Sequence, residues 1–359
     1  MTERYKNWLI LGLVAILSTI VVWLGTGVSS AFKNFDGPLY VAVAQTWYDK
    51  EAIGGKFSFP LPLEYYPAHL PLYPALIWGA SVGLQNPFWA MLFVTLIGSV
   101  AGAILFYEIA KSKKWDNPLF LSLLWLFVWP RMWAVRSVGS PETWFIAFIM
   151  TSLWMFEKKK YWLSGILGAL AIWTKSPAVL LIPTYLLIAS INKIKGFKAY
   201  IPIGIMVLAG VGLFGFFRLR TGDFFAYFHT GDNIHLGLPF GIFDSNKTWV
   251  GNAWLEDILW IYLIAMIGIV RAWQKDRLWA IWGGLFLSVI IFVSHRDIAR
   301  YSLPLVPVVI LGFSDLMKPR WVKIILLLML IPLYFYTVNF VKFNVMPIQN
   351  WGEFLSSSR

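Results

Sequence analysis

Eleven apolar stretches recur along this chain, separated by short basic connections, and that pattern leaves few ways to fold. They lie near residues 8–28, 87–110, 117–130, 142–156, 161–175, 177–191, 199–217, 254–270, 278–294, 301–316 and 321–340. A helix needs about 20 mostly apolar residues to cross a bilayer, so each stretch is expected to span, 117–130 and 142–156 being the short ones. Composition agrees: 58% of residues are hydrophobic and 13% charged, too little charge to cover a soluble domain of this length. The 21 Trp, 28 Phe and 15 Tyr suit helices anchored at headgroup level. The first stretch is long enough to span by itself, so it is not expected to be a cleaved leader. The expected class is all-α: a polytopic transmembrane helical bundle of about eleven spans, forming a single integral membrane domain over residues 1–359.

The charge distribution orients this bundle. Basic clusters fall on alternate connections: Arg4 and Lys6; Lys111, Lys113 and Lys114; Lys158, Lys159 and Lys160; Lys193, Lys195 and Lys198; Arg271, Lys275 and Arg277; Lys318, Arg320 and Lys323. They hold 17 of the 30 Lys and Arg but share their side with only 6 of the 18 Asp and Glu. By the positive-inside rule that side is cytoplasmic, together with the N-terminus. The net charge of +12 is thus a topology signal, and nucleic acid is not an expected partner. With no cysteine, disulfides, thiolate metal sites and a Cys nucleophile are excluded.

The opposite face, periplasmic, extracellular or lumenal, carries two long loops, 29–86 and 218–253, which are expected to form the active-site face. The first is expected to contain an amphipathic interfacial helix near 38–49, because Leu39, Val43 and Trp47 share a helical face. Six groups of residues on this side suit chemistry. Asn34-Phe35-Asp36-Gly37-Pro38 places a carboxylate where it serves equally as a helix N-cap or a general base. Glu64-Tyr65-Tyr66-Pro67-Ala68-His69 offers interface anchors or sugar-stacking rings. Arg131 and Arg136 precede Ser140-Pro141-Glu142, whose Glu favours a helix start by its charge alone. Lys175, in Thr174-Lys175-Ser176-Pro177, has the alternative of snorkelling. Asp223, His229 and His235 lie in the second loop, and two histidines without a third ligand make a weak metal signal. Finally, His295, Arg296 and Arg300 form a phosphate clamp, since Arg296 and Arg300 share a face on a helix; pairing with Asp297 or lipid headgroups is the plainer reading. Walker loops, nucleophile elbows and DxD motifs are missing from the sequence.

Taken in order, Phe35-Asp36-Gly37 with Tyr40 and Ala44, Tyr66-Pro67 with Pro71-Leu72-Tyr73-Pro74, Ser140-Pro141-Glu142, Thr174-Lys175-Ser176-Pro177, Thr221-Gly222-Asp223 and Arg300-Tyr301 with Leu303-Pro304-Leu305 form a pattern. It resembles the GT-C superfamily of membrane glycosyltransferases, and within it the second mannosyltransferase of the glycosylphosphatidylinositol pathway and its prokaryotic relatives. The resemblance implies an inverting transferase that moves a sugar, mannose on this likeness, from a polyprenyl-phosphate donor to a hydroxyl of a glycolipid, glycan or protein. It implies Asp36 as catalytic base. Phe35 stands where the eukaryotic enzyme commonly has Trp, which leaves sugar and acceptor open.

The chemistry assigns the remaining roles. A fixed cation in a low-dielectric site stabilises a departing phosphate, and Arg296, Arg300, Lys175 and His295 are the candidates. Glu142, Asp223, Tyr66, His69 and Tyr40 are candidates for holding sugar or acceptor. No metal and no cofactor are expected, because the cations would do that work. The rival class is a lipid or small-molecule transporter or flippase, which would place ionisable groups at mid-membrane on two repeats. An intramembrane hydrolase or acyltransferase would want a Ser or His within a span.

Overall fold

A computed structural model describes residues 2–57, 59–194, 196–231, 235–244, 252–295, 297–348, 350–352 and 354. The chain is 77% helical, with no strands among the described residues. Its α-helices run α1 Glu3–Thr26, α2 Val28–Phe32, α3 Gly37–Thr46, α4 Lys50–Lys56, α5 Leu72–Leu84, α6 Pro87–Ser112, α7 Pro118–Phe127, α8 Pro130–Val135 and α9 Glu142–Glu157. They continue as α10 Tyr161–Thr174, α11 Leu181–Ile191, α12 Ile201–Thr221, α13 Asn252–Lys275, α14 Arg277–Ile290, α15 Ile298–Tyr301, α16 Val306–Phe313, α17 Arg320–Leu328 and α18 Leu330–Phe343. Among the described residues, α1, α6, α12 with its lead-in turn, and α17–α18 together are long and apolar enough to cross a membrane.

Each stretch expected to span is helical over most of its described part, with breaks at 128–129 and 291–294, but the first outer loop differs from expectation in two ways. It contains α5, an apolar 13-residue helix within the segment expected to be loop. Its α3, expected to lie in the membrane interface, is instead buried from Gly37 to Ala44. The sequence Gly-Pro-Leu-Tyr-Val-Ala-Val-Ala has no polar face to offer an interface, so the helix is driven inward among α5 and α6. The exposed, amphipathic element is α4, where Ile53 alone is buried.

α6 is the hub, packed against α1, α5, α7 and α9. Small residues allow this closeness: a Cβ added at Gly102 would run into the Trp125 ring of α7. α13 and α16 cross closer still, with Gly312 against the Gly268 backbone.

Three breaks position the site. Trp129, at φ 73°, ends the α7 run and its Nε1 donates to Ser302 Oγ at 3.0 Å, tying α8 to the turn before α16. Lys175 ends α10 in extended backbone before Ser176-Pro177. The segment entering α3 is pinned to the chain after α18: Phe35 N donates to Asn344 O at 3.1 Å and Met346 N to Lys33 O at 2.9 Å.

Candidate active site

Asp36 sits at the N-cap position of α3, yet its side chain makes no capping bond. The equivalent residues elsewhere do cap: Asp49 accepts from Ala52 N at 2.9 Å, and Asn86 from Phe88 N at 3.0 Å. Asp36 instead accepts from Arg300 Nη1, 264 residues away. The capping alternative is therefore not what holds this carboxylate. A residue that gives up its cap forgoes about 1 kcal/mol of helix stability, and here a charge-assisted pair replaces it.

Arg300 projects from α15 and bridges two acids. Its Nη1 reaches Asp36 and its Nε donates to Glu142 Oε1 at 2.5 Å. Glu142 opens α9, and Lys175 Nζ donates to the same Oε1 at 2.7 Å, while Ser140 Oγ donates to Oε2. Lys175 thus turns into the protein rather than snorkelling. Two cations and two carboxylates from four distant segments form one network of balanced charge. Exposure within it is graded: the Glu142 side chain is 2% exposed, Arg300 15% and Asp36 20%. Asp36 is the more exposed of the two acids.

Glycines bring these segments together. A Cβ on Gly139 would collide with Met91 of α6, and one on Gly37 would press on Met91 and lie 3.7 Å from the Gly139 backbone. With glycine at both, the Asp36 turn and the 137–141 turn close onto one another.

The electrostatics follow from this packing. Burial pushes the Asp36 carboxyl up, but Arg300 outweighs it and holds the group below the usual carboxylate range. His69 is buried with its ring edge-on to Tyr40 at 4.7 Å. Burial, together with Arg300 and Lys175, pushes it down to about 4 against the pull of Asp36, so it is neutral at pH 7. Burial and the neighbouring Glu142 and Asp36 charges raise the Tyr40 hydroxyl well above its ordinary range.

The other expected residues separate into three groups. His295 stacks on His235 at 4.2 Å and lies tilted against Tyr301 at 5.3 Å, and Lys175 Nζ lies 5.8 Å from the Tyr301 ring. This aromatic group meets the charged network where Lys175 approaches the Tyr301 ring. Tyr66 is buried against Phe59, 6.1 Å between rings. Asp223 lies apart, half-exposed and paired with His229 at 2.6 Å. Arg296 lies outside the described residues.

Residues not given a role from the sequence line the same place. A cavity of about 20 Å³, room for one water molecule, is bounded by Asn34, Asp36, Arg131, Ser140, Asp297 and Arg300 among others. Arg131 Nη2 lies 2.8 Å from Asp297 Oδ1, and its guanidinium packs 3.7 Å over the Phe340 ring. Arg131 was visible in sequence beside Arg136, but the two diverge. Arg136 is wholly structural: it donates to Leu126 O at 2.9 Å, Thr19 Oγ1 at 3.0 Å and Ser18 Oγ at 2.7 Å.

No family model and no curated protein matches the chain. Solved structures do. An Archaeoglobus fulgidus oligosaccharyltransferase tethered with an acceptor peptide aligns over 97% of this chain and 56% of its own, with TM-score 0.59 and 15% identity. AglB from the same organism, in complex with an inhibitory peptide and a dolichol-phosphate, aligns over 98% and 57%, with TM-score 0.60 and 13% identity. ArnT from Cupriavidus metallidurans, bound to undecaprenyl phosphate, aligns over 91% and 63%, with TM-score 0.59 and 14% identity. The chain spans less than two thirds of each of these neighbours. They are GT-C glycosyltransferases, and at this identity the likeness is one of fold. Together with the apolar helices, it makes this chain an integral membrane protein.

Proposed function

We propose that this chain, built on the GT-C fold, is an inverting glycosyltransferase that moves a sugar from a polyprenyl-phosphate donor to a hydroxyl acceptor. The observation that carries the reading is the network Asp36–Arg300–Glu142–Lys175, in which a capping residue gives up its cap to be held as a reachable carboxylate. The GT-C neighbours supply the donor class: one was solved with dolichol-phosphate and another with undecaprenyl phosphate.

Asp36 accepts the acceptor's hydroxyl proton as that oxygen attacks the anomeric carbon. The bond between that carbon and the phosphate oxygen breaks, its electron pair leaves with the lipid phosphate, and configuration inverts. Arg300 and Lys175 stabilise the growing phosphate charge through a site that excludes water. Glu142 fixes both cations, and neutral His69 with Tyr40 shapes the wall beside Asp36. The two carboxylates already have cationic partners, which supports a reaction without a metal. Mannose is the sugar that the motif order suggests. The basic connections, cytoplasmic by the positive-inside rule, support a site on the outer face, where a lipid-linked donor would present its headgroup.

The test is transfer from polyprenyl-phosphate-mannose by the purified protein, beside Asp36→Asn and with EDTA. Transfer by the unaltered protein alone, insensitive to EDTA, supports class, base and metal independence together. Failure with mannose, glucose, galactose and arabinose donors across an acceptor panel would turn attention to lipid transport.

A further inference from the structure

At the cavity beside Asp36, most hydrogen-bond donors are spoken for. Arg300 spends Nη1 on Asp36 and Nε on Glu142, and Lys175 is paired with Glu142. Arg131 differs. It is 8% exposed and touches Asp297 through Nη2, but its Nε and Nη1 are buried with no partner among the described residues. Asn34, 6% exposed on the same cavity wall, has an unpartnered Nδ2. Three buried N–H donor atoms without acceptors are costly: each unmet group forfeits about 1–3 kcal/mol, more when charged. Donors left so in one cavity define the place of an absent acceptor.

We infer that Arg131 and Asn34 form the oxyanion-binding site for the donor's phosphate. This rests on the transferase reading above and changes its assignment of the phosphate ligands. A phosphate offers three or four acceptor oxygens to a planar guanidinium, whose fork suits two of them at once. Asp297 Oδ1 lies 2.8 Å from Nη2 as an ion-pair partner, itself without a hydrogen bond among the described residues, and the guanidinium packs over the Phe340 ring. Asn34, two residues before Asp36, is set by its backbone bridge to Val345.

The charges also balance. The cavity wall carries Arg131 and Arg300 against Asp297 and Asp36. During transfer the bond from the anomeric carbon to the phosphate oxygen breaks and the phosphate gains one negative charge. Asp36 takes the acceptor's proton and loses one. The base and the phosphate site are neighbours in one cavity, so the charge that leaves Asp36 reappears on the group that Arg131 holds. The cavity of about 20 Å³ is smaller than a phosphate, so binding widens it.

The test is binding of farnesyl phosphate and of uncharged farnesol to the detergent-purified full chain. Compared are the unaltered protein, Arg131→Gln, Arg131→Lys and the isosteric Asn34→Asp, each checked by thermal melting. Loss of the Arg131 bonds is expected to weaken farnesyl phosphate binding roughly 10- to 100-fold, with farnesol binding unchanged. Arg131→Lys keeps the charge and folds most safely, and is expected to lose less. Asn34→Asp adds repulsion and is expected to lose at least as much as Arg131→Gln. Folded variants that bind farnesyl phosphate like the unaltered protein overturn the inference while leaving the transferase reading in place; the orphaned donors then serve water alone. An unaltered protein that does not distinguish farnesyl phosphate from farnesol overturns both.

Discussion

Four ionisable side chains make up the charged network, and what each can contribute depends on which neighbour claims it. Asp36 is expected to be indispensable: Asp36→Asn should cut turnover about 10²- to 10⁴-fold, the usual worth of a positioned base, while the melting temperature stays close to that of the parent. A substantial residual rate in the folded variant would remove Asp36 from the chemistry. The pH profile follows from the same contacts. Because Arg300 holds Asp36 below the ordinary carboxylate range, the base stays ionised at and above that range, and is lost only as pH falls through its lowered value. His69, pushed down to about 4, stays neutral through the same window. kcat/KM should therefore show no acidic limb between about pH 5 and 7. A limb near the ordinary histidine value would assign the proton to an imidazole instead. Glu142 is the structural keystone: Glu142→Gln strands two cations in a buried place and should cost about 3–5 kcal/mol of stability, far more than Asp36→Asn. Equal melting of the two variants would contradict the network.

At the scale of elements, the site depends on helices that stop where a longer helix would be easy. α10 ends at Lys175, and α7 ends before Trp129, where a positive φ turns the chain into α8. These stops point Lys175 and Arg131 inward. The rest of the bundle is held by close crossings of small residues, and the tightest is α13 on α16. Gly312→Ala would drive a methyl group into the Gly268 carbonyl, and backbone there has nowhere to move. A loss of about 1–3 kcal/mol is expected, read as a lower melting temperature in detergent with the Asp36 site chemistry intact. A Gly312→Ala protein as stable as its parent would mean that α13 and α16 are further apart than described.

For the whole molecule, the charge asymmetry makes a prediction that needs no enzyme assay. The chain has no cysteine, so single cysteines report sidedness cleanly. Gly55→Cys in the exposed α4 should react with a membrane-impermeant maleimide applied to the outer face. Lys158→Cys, in a basic connection, should react only after permeabilisation. The reverse pattern would place the Asp36 site on the cytoplasmic side and remove lipid-linked donors facing outward from consideration.

Residue pattern alone determined that this is a helical membrane chain, which connections are basic, and which charged side chains stand out of place. Charge in so apolar a sequence is expensive, so each survivor carries information, and Asp36, Glu142, Lys175 and Arg300 were legible on that ground and from the order of their motifs. The partnerships were decided by tertiary structure. Asp36 reads equally as a cap or a base until Arg300, 264 positions on, is seen to claim it. Arg131 and Arg136 look equivalent in sequence, yet one faces a cavity and the other satisfies helix backbone. The same holds for α3, whose spacing suggested an interface but whose lack of a polar face buried it. Composition and periodicity report what a segment requires of its surroundings. Which distant segment meets that requirement is settled by helix packing, as the pairing of Asp36 with Arg300 and of Glu142 with Lys175 shows.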